Sequence, residues 1–135
     1  MTSSGDLRQI VQSFYDLCQR GEWARVETML TDDFYLTEAP GLPFAGVYRG
    51  RRALREVFER VFTMLDIAGL DVHDIAVGEN HAVGVLDMVL AGTPPVRVAI
   101  TEVFRFRAGK VCEIRPHYFD TSVIVAAVAA RRAAR

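Results

Sequence analysis

The sequence predicts an α+β fold, a cone-shaped barrel in which a curved antiparallel sheet packs on three N-terminal helices and ends in a short C-terminal helix. Three observations predict it. Apolar residues recur at helical spacing over residues 7–18 and 51–65, they alternate at period two over most of residues 69–119, and the alternating segments follow one another through short turns as consecutive hairpins do. A sheet curled round helices leaves a cone open at one end. Its inside is concave and mostly apolar, the usual character of a small-molecule site.

The first helix is expected to start at a Ser3 or Ser4 cap, to present Leu7, Ile10, Val11, Phe14, Leu17 and Cys18 on one side, and to stop at Gly21. Residues 22–30, with Trp23, Val26 and Met29 or Leu30 on one side, read as a second helix that ends before an acidic turn, Thr31-Asp32-Asp33. In residues 34–38, Phe34, Leu36 and Glu38 alternate with Tyr35 and Thr37, so this strand puts a carboxylate in phase with its apolar side chains. Two prolines make residues 39–43 irregular. Residues 46–50 read as a short edge strand. The third helix, residues 51–65, carries a stripe of Leu54, Val57, Phe58, Val61 and Leu65, with Arg51 and Arg52 on its solvated face.

Residues 69–77 and 81–91 are expected to be strands joined by the turn Gly78-Glu79-Asn80, and in the second Val83, Val85 and Val89 share a face with Asp87. Residues 95–120 form a longer hairpin. On its first strand Val96, Val98, Ile100, Phe104 and Phe106 share a face with Glu102, the one charged side chain there, while Arg97, Thr101, Arg105 and Arg107 take the other. Gly109 supplies the positive φ of the reversal. On the returning strand Cys112, Ile114, Pro116 and Tyr118 alternate with Glu113, Arg115, His117 and Phe119, and Asp120 falls in phase with Tyr118. Asp120 or Thr121 then caps a last helix, residues 123–130, closed by Arg131, Arg132 and Arg135.

At 135 residues, 50% hydrophobic and 24% charged, residues 1–135 are expected to form one domain with a sizeable core. A net charge of -1 offers no field for a polyanion, so no nucleic acid is expected as a partner. No apolar run near the N-terminus has signal-peptide length and residues 123–130 are too short to span a bilayer, so a cytoplasmic protein without a membrane partner is expected. Cys18 and Cys112 read as reduced core thiols. His73, His81 and His117 lack metal-ligand spacing, and no phosphate loop, nucleophile elbow or dinucleotide fingerprint occurs. No metal and no cofactor are therefore expected.

A carboxyl group surrounded by apolar neighbours resists ionisation, holds its proton near neutral pH, and is a strong base once it has lost it. Glu38 and Glu102 are the acids this argument singles out. Each has a structural alternative as a strand-end carboxylate or an ion pair with an arginine; Asp120 has one as a helix N-cap, and Asp87 as the partner of a neighbouring arginine. Arg97, Arg105, Arg107 and Arg115 alternate outward, and with Ala99 and Val103 between them they suit a solvated face or a dimer contact.

Three stretches carry a family resemblance: Thr31-Asp32-Asp33-Phe34 leading to Glu38, the run Leu42-Pro43-Phe44-Ala45-Gly46-Val47-Tyr48-Arg49-Gly50 before a helix, and Tyr118-Phe119-Asp120-Thr121. Over residues 10–127 the chain resembles the SnoaL-like polyketide cyclases and their relatives, the ketosteroid isomerases and limonene epoxide hydrolases. The resemblance implies the cone-shaped fold of nuclear transport factor 2, a homodimer joined through the outer sheet face, and proton transfer (isomerisation or cyclisation) on a small apolar carbonyl compound without a cofactor. A non-catalytic ligand- or partner-binding module is the alternative. The isomerase pattern places its base at Glu38 and its neutral oxyanion-binding acid at Glu102; its tyrosine falls on Phe14, with Tyr15 one residue off that helix face. In the epoxide hydrolase pattern Asp87 and Asp120 match the aspartates, Val85 stands at the arginine, and Leu36 and Glu38 stand at the tyrosine and asparagine. SnoaL-like cyclases need mainly one acid/base group in an enclosed pocket, for which Glu38, Asp87, Glu102 and Asp120 are all candidates. The pocket wall is expected to include Phe14, Tyr15 and Phe58 from the helices and Leu36, Val85, Ile100, Phe104 and Tyr118 from the strands.

Overall fold

The computed structural model describes residues 4–134. A Ser3 cap and the closing Arg135 lie outside them, and Ser4, the other expected cap, is already a residue of the first helix. The elements are α1 (Ser4–Gln19), α2 (Trp23–Glu27), β1 (Leu30–Glu38), β2 (Gly46–Arg49), α3 (Ala53–Met64), β3 (Ile67–Val77), β4 (His81–Leu90), β5 (Val96–Arg107), β6 (Lys110–Tyr118) and α4 (Thr121–Ala133). The expected α+β class and helix order hold. No helix among the described residues is long and apolar enough to cross a membrane.

The six strands form one curved sheet in the order β2-β1-β6-β5-β4-β3, which does not close because β2 and β3 remain its two edges. Neighbours are antiparallel except β1 and β6, which run parallel, so the sheet is mixed rather than wholly antiparallel. This pairing changes one expected boundary. Leu30 pairs with Val111 and both are fully buried, so the chain is already in β1 where the sequence suggests a second helix ending in an acidic turn. Asp32 and Asp33 are accordingly strand residues, and their exposed carboxylates pair with Arg51 and Arg107.

Leu7, Val11, Phe14, Leu54, Val57 and Val61 of α1 and α3 are buried in the same cluster as Leu36, Ile100, Phe104 and Ile114 of the strands. Burying such side chains is the main favourable term for a domain of this size. The turn from β5 to β6 has positive φ at both central residues, Ala108 at 52° and Gly109 at 79°, the conformation that matches strand twist in a two-residue hairpin.

Strand β4 reverses the expected face. Ala82, Leu86, Met88 and Leu90 are buried, while Val85 is 37% exposed and Val83, Asp87 and Val89 lie on the same side as it. The cause is register: Leu86 stands opposite Ile100 and Met88 opposite Val98, so the inward face of β5 dictates that of β4.

Candidate functional site

Between α1, α3 and the inner face of the sheet lies a cavity with about 60 Å³ of room for the centres of water-sized molecules. Glu38, the last residue of β1, and Glu102, in the middle of β5, both line it. Tyr15 and Phe14 reach it from α1, Leu36 from β1, Ile100 from β5, Tyr118 from the end of β6 and Phe58 from α3.

Two expected wall residues are elsewhere. Val85 belongs to the outer face of β4, because the register with β5 turns Leu86 and Met88 inward in its place. Phe104 is wholly buried behind the wall, where its ring meets Phe14 and Tyr15 edge-on at centroid distances of 5.1 and 5.6 Å and fixes their orientation.

The position of Tyr15 also departs from expectation. Its hydroxyl donates to Glu102 Oε1 at 2.8 Å, so the residue one step off the expected helix face is the one that reaches the acid. A signal for this exists in the sequence. Tyr15 lies four residues after Val11 and three before Cys18, both buried, and therefore belongs to the same helical stripe.

Gly84 makes the contact possible. It stands directly opposite Glu102 on the neighbouring strand, and a Cβ built on it would lie 2.1 Å from the Tyr15 hydroxyl oxygen. No side chain fits there. A glycine inside a strand is costly unless something must approach the backbone closely, and here the phenol does.

The electrostatics follow from burial. Glu38 is 5% exposed, its Oε1 has no hydrogen-bond partner among the described residues, and burial together with the nearby Glu102 pushes its pKa from 4.5 up to about 8. Glu102 is raised as well, by burial, against a smaller opposing effect of the Tyr15 hydrogen bond. The surface it keeps is turned to the cavity, so desolvation still governs it. Burial, followed by Glu102 for Tyr15 and by Glu38 and Glu102 for Tyr118, holds both hydroxyls well above the ordinary tyrosine range. No lysine, arginine or histidine lines the cavity among the described residues. Among the described residues neither acid has the arginine partner of the ion-pair alternative, whereas Glu38 does stand at the end of its strand.

Asp87 and Asp120 are not in this cavity. Asp87, on the outer face, is bound by His73 at 3.1 Å and Arg97 at 3.2 Å, and its pKa is lowered first by the His73 contact and then by Arg97. Asp120 turns out of phase with Tyr118 because the strand ends there; it caps α4, accepting from the Ser122 backbone N–H at 2.9 Å. Its pKa is lowered by the Ser122 hydroxyl and backbone bonds. The epoxide hydrolase pattern thus has neither aspartate at the cavity. Among the described residues no three His, Cys, Asp or Glu side chains gather as metal ligands would.

Several wall residues lie outside the sequence-based expectation. Leu86 and Met88 of β4 alternate with the valines expected to point inward, and Phe62 of α3 falls outside the apolar stripe, although it lines the cavity while 48% exposed.

A SnoaL-like domain model matches residues 11–114 of the chain. None of the curated proteins matches it. Among solved structures, an NTF2-like protein from Burkholderia xenovorans LB400 superposes with a TM-score of 0.82 at 20% identity, over 95% of this chain and 99% of that one. TerC, co-crystallised with polyporic acid, gives 0.76 at 12% identity over 90% and 96% of the two chains. A candidate SnoaL-like polyketide cyclase from Mesorhizobium loti gives 0.65 at 22% identity over 83% and 98%. At these identities the likeness is one of fold.

Proposed function

This chain belongs to the SnoaL-like domain family, and we propose that within it the protein is a cofactor-free acid-base enzyme that isomerises or cyclises a small, largely apolar carbonyl compound. The observation that carries this reading is the unpartnered, buried Oε1 of Glu38 in the same cavity as the Tyr15–Glu102 pair. A buried acceptor left unsatisfied costs about 1 to 3 kcal/mol, which a structural role would not require and a bound substrate can relieve.

Glu38, once ionised, removes a proton from the carbon next to the carbonyl. The C–H electron pair forms a carbon–carbon double bond while the carbonyl π pair moves to oxygen. Glu102, kept protonated by burial, donates a hydrogen bond to that oxyanion, with the Tyr15 hydroxyl holding the Glu102 carboxyl in place. In ketosteroid isomerase a carboxylic acid kept neutral by its apolar site likewise donates to the oxyanion, there together with a tyrosine. Glu38 then returns the proton to a conjugated carbon, which isomerises the compound; alternatively the enolate carbon attacks a second carbonyl and closes a ring, and the alkoxide so formed takes the proton from Glu38. With its pKa near 8, Glu38 is ionised in about one molecule in ten at pH 7.

Two acids facing an apolar cavity favour catalysis over a purely binding module. Deuterium uptake from D₂O into the α-position of small ketones, followed by NMR, tests the reading. Wild-type protein is expected to accelerate uptake, and Glu38→Gln to lose a factor of about 10² to 10⁴. Ketones that bind without any accelerated exchange would leave the binding module as the surviving reading.

A further inference from the structure

Beside the cavity lies a larger, open groove, with about 550 Å³ of room on the same measure, between the C-terminal turns of α1 and α3 and the start of β3. Phe58, Phe62, Ile67 and Leu70 line both spaces, so their side chains form the wall between them. We propose that the groove is the outer half of one binding site: it takes the neutral apolar tail of an elongated carbonyl compound whose reacting end lies at Glu38 and Glu102, with Phe62 as the side chain that yields between the two halves. The identity of the reacting end rests on the function proposed above; the tail site does not.

Size gives the first argument. The inner cavity gives the centres of water-sized molecules about 60 Å³ against about 550 Å³ in the groove, so most of an elongated ligand finds its room outside the cavity. Phe62 stands in the wall that the two spaces share. That ring is 48% exposed, stacks on Phe58 at a centroid distance of 6.1 Å, and Phe58 meets Trp23 edge-on at 5.0 Å. The three rings make an apolar path from the cavity to the groove.

Charge gives the second. Arg20 at the groove rim is already held by Asp16 at 2.9 Å and Glu22 at 3.1 Å, and Glu59 by Arg55 at 3.2 Å. With these charges satisfied by each other, nothing there favours a carboxylate or phosphate over a neutral chain. The strand also leaves room: the β3–β4 register shifts between Ile67 and Gly69, and a Cβ built on Gly69 would meet nothing within 4 Å.

Titrating the protein with the straight-chain methyl ketones from 2-butanone to 2-decanone tests this. The chain has one tryptophan, Trp23, and it lines the groove but not the cavity. The longer ketones are therefore expected to change its fluorescence and the shorter ones not to. Affinity should rise about fourfold per methylene once the tail passes Phe62. Gly69→Glu, which puts a charge in the groove and leaves the cavity wall intact, should abolish that rise while leaving 2-butanone binding unchanged. Affinity independent of chain length, or a Gly69→Glu variant that weakens short and long ketones alike, would overturn the tail site. Deuterium exchange separates the two readings. A chain-length effect without exchange keeps the groove and removes the reaction; exchange of 2-butanone without a chain-length effect does the reverse.

Discussion

Tyr15 meets Glu102 only because residue 84 has no side chain, and this makes Gly84 a positioning residue for the acid pair. Gly84→Ala is expected to push the Tyr15 hydroxyl off Glu102 and to destabilise by about 1 to 3 kcal/mol, the usual cost of overpacking. In a Tyr15→Phe background the cost should shrink, since the oxygen nearest the new Cβ is gone; a double-mutant cycle by urea denaturation measures the coupling. Equal costs in the two backgrounds would show that the clash is relieved some other way. Glu38 gives a second expectation. Its folded pKa of about 8 lies above the ordinary 4.5, so the unfolded chain releases a proton that the native state retains between those values. The contribution of Glu38 to stability is then greatest below about pH 4.5, falls as pH rises, and levels off above about pH 8, with a span on the order of 5 kcal/mol. Glu102 is shifted in the same direction and deepens the fall. Glu38→Gln should flatten the curve and melt at a higher temperature than wild type at pH 8; an unchanged slope would mean that Glu38 titrates normally.

Among the elements, β4 and the start of α4 separate structural carboxylates from those at the cavity. Asp120→Ala removes the cap of α4 and is expected to lower the melting temperature while leaving the deuterium-exchange rate per folded molecule unchanged. Because the pKa of Asp120 is lowered in the fold, its contribution is present above the unfolded value and disappears as the pH falls through the folded one. Exchange lost along with the cap would place Asp120 in the chemistry after all. The phase of β4 was not legible within the strand itself, since Val83, Val85 and Val89 are as apolar as Ala82, Leu86 and Met88. β5 had a single apolar face, and its Glu102 could be placed from alternation.

For the whole molecule, we also propose that two copies pair through the outer sheet face. The side chains there include Val85 at 37% exposure, Ala99, Val103 and, beside Ala99, Phe119 at 90% exposure, whose backbone N–H donates to the Ala99 carbonyl at 3.0 Å. Ion pairs of Arg97 with Asp71 and Asp87 and of Arg105 with Glu113 flank this patch, and a two-fold axis lets one patch serve both copies. Sedimentation at micromolar concentration is expected to show a dimer that Phe119→Asp weakens at least tenfold. A wild-type monomer at that concentration would remove the proposal.

Periodicity determined what local chemistry can determine: the α+β class, the helical stripes of α1 and α3, the hairpins of β3 to β6, and the inward placement of Glu38 and Glu102, each the sole acid on an apolar strand face. It could not determine which elements lie opposite one another. The parallel pairing of Leu30 with Val111 shortened α2, the register of β5 turned Asp87 and Val85 outward, and the end of β6 at Tyr118 freed Asp120 to cap a helix. The hydrogen bond from Tyr15 to Glu102 depends on three segments far apart in the chain, with Gly84 as the third, and only their packing brings the phenol, the acid and the bare backbone together. A side chain's face follows from its own neighbours in sequence, whereas its partner follows from strand order and register, which are set by contacts across the whole fold.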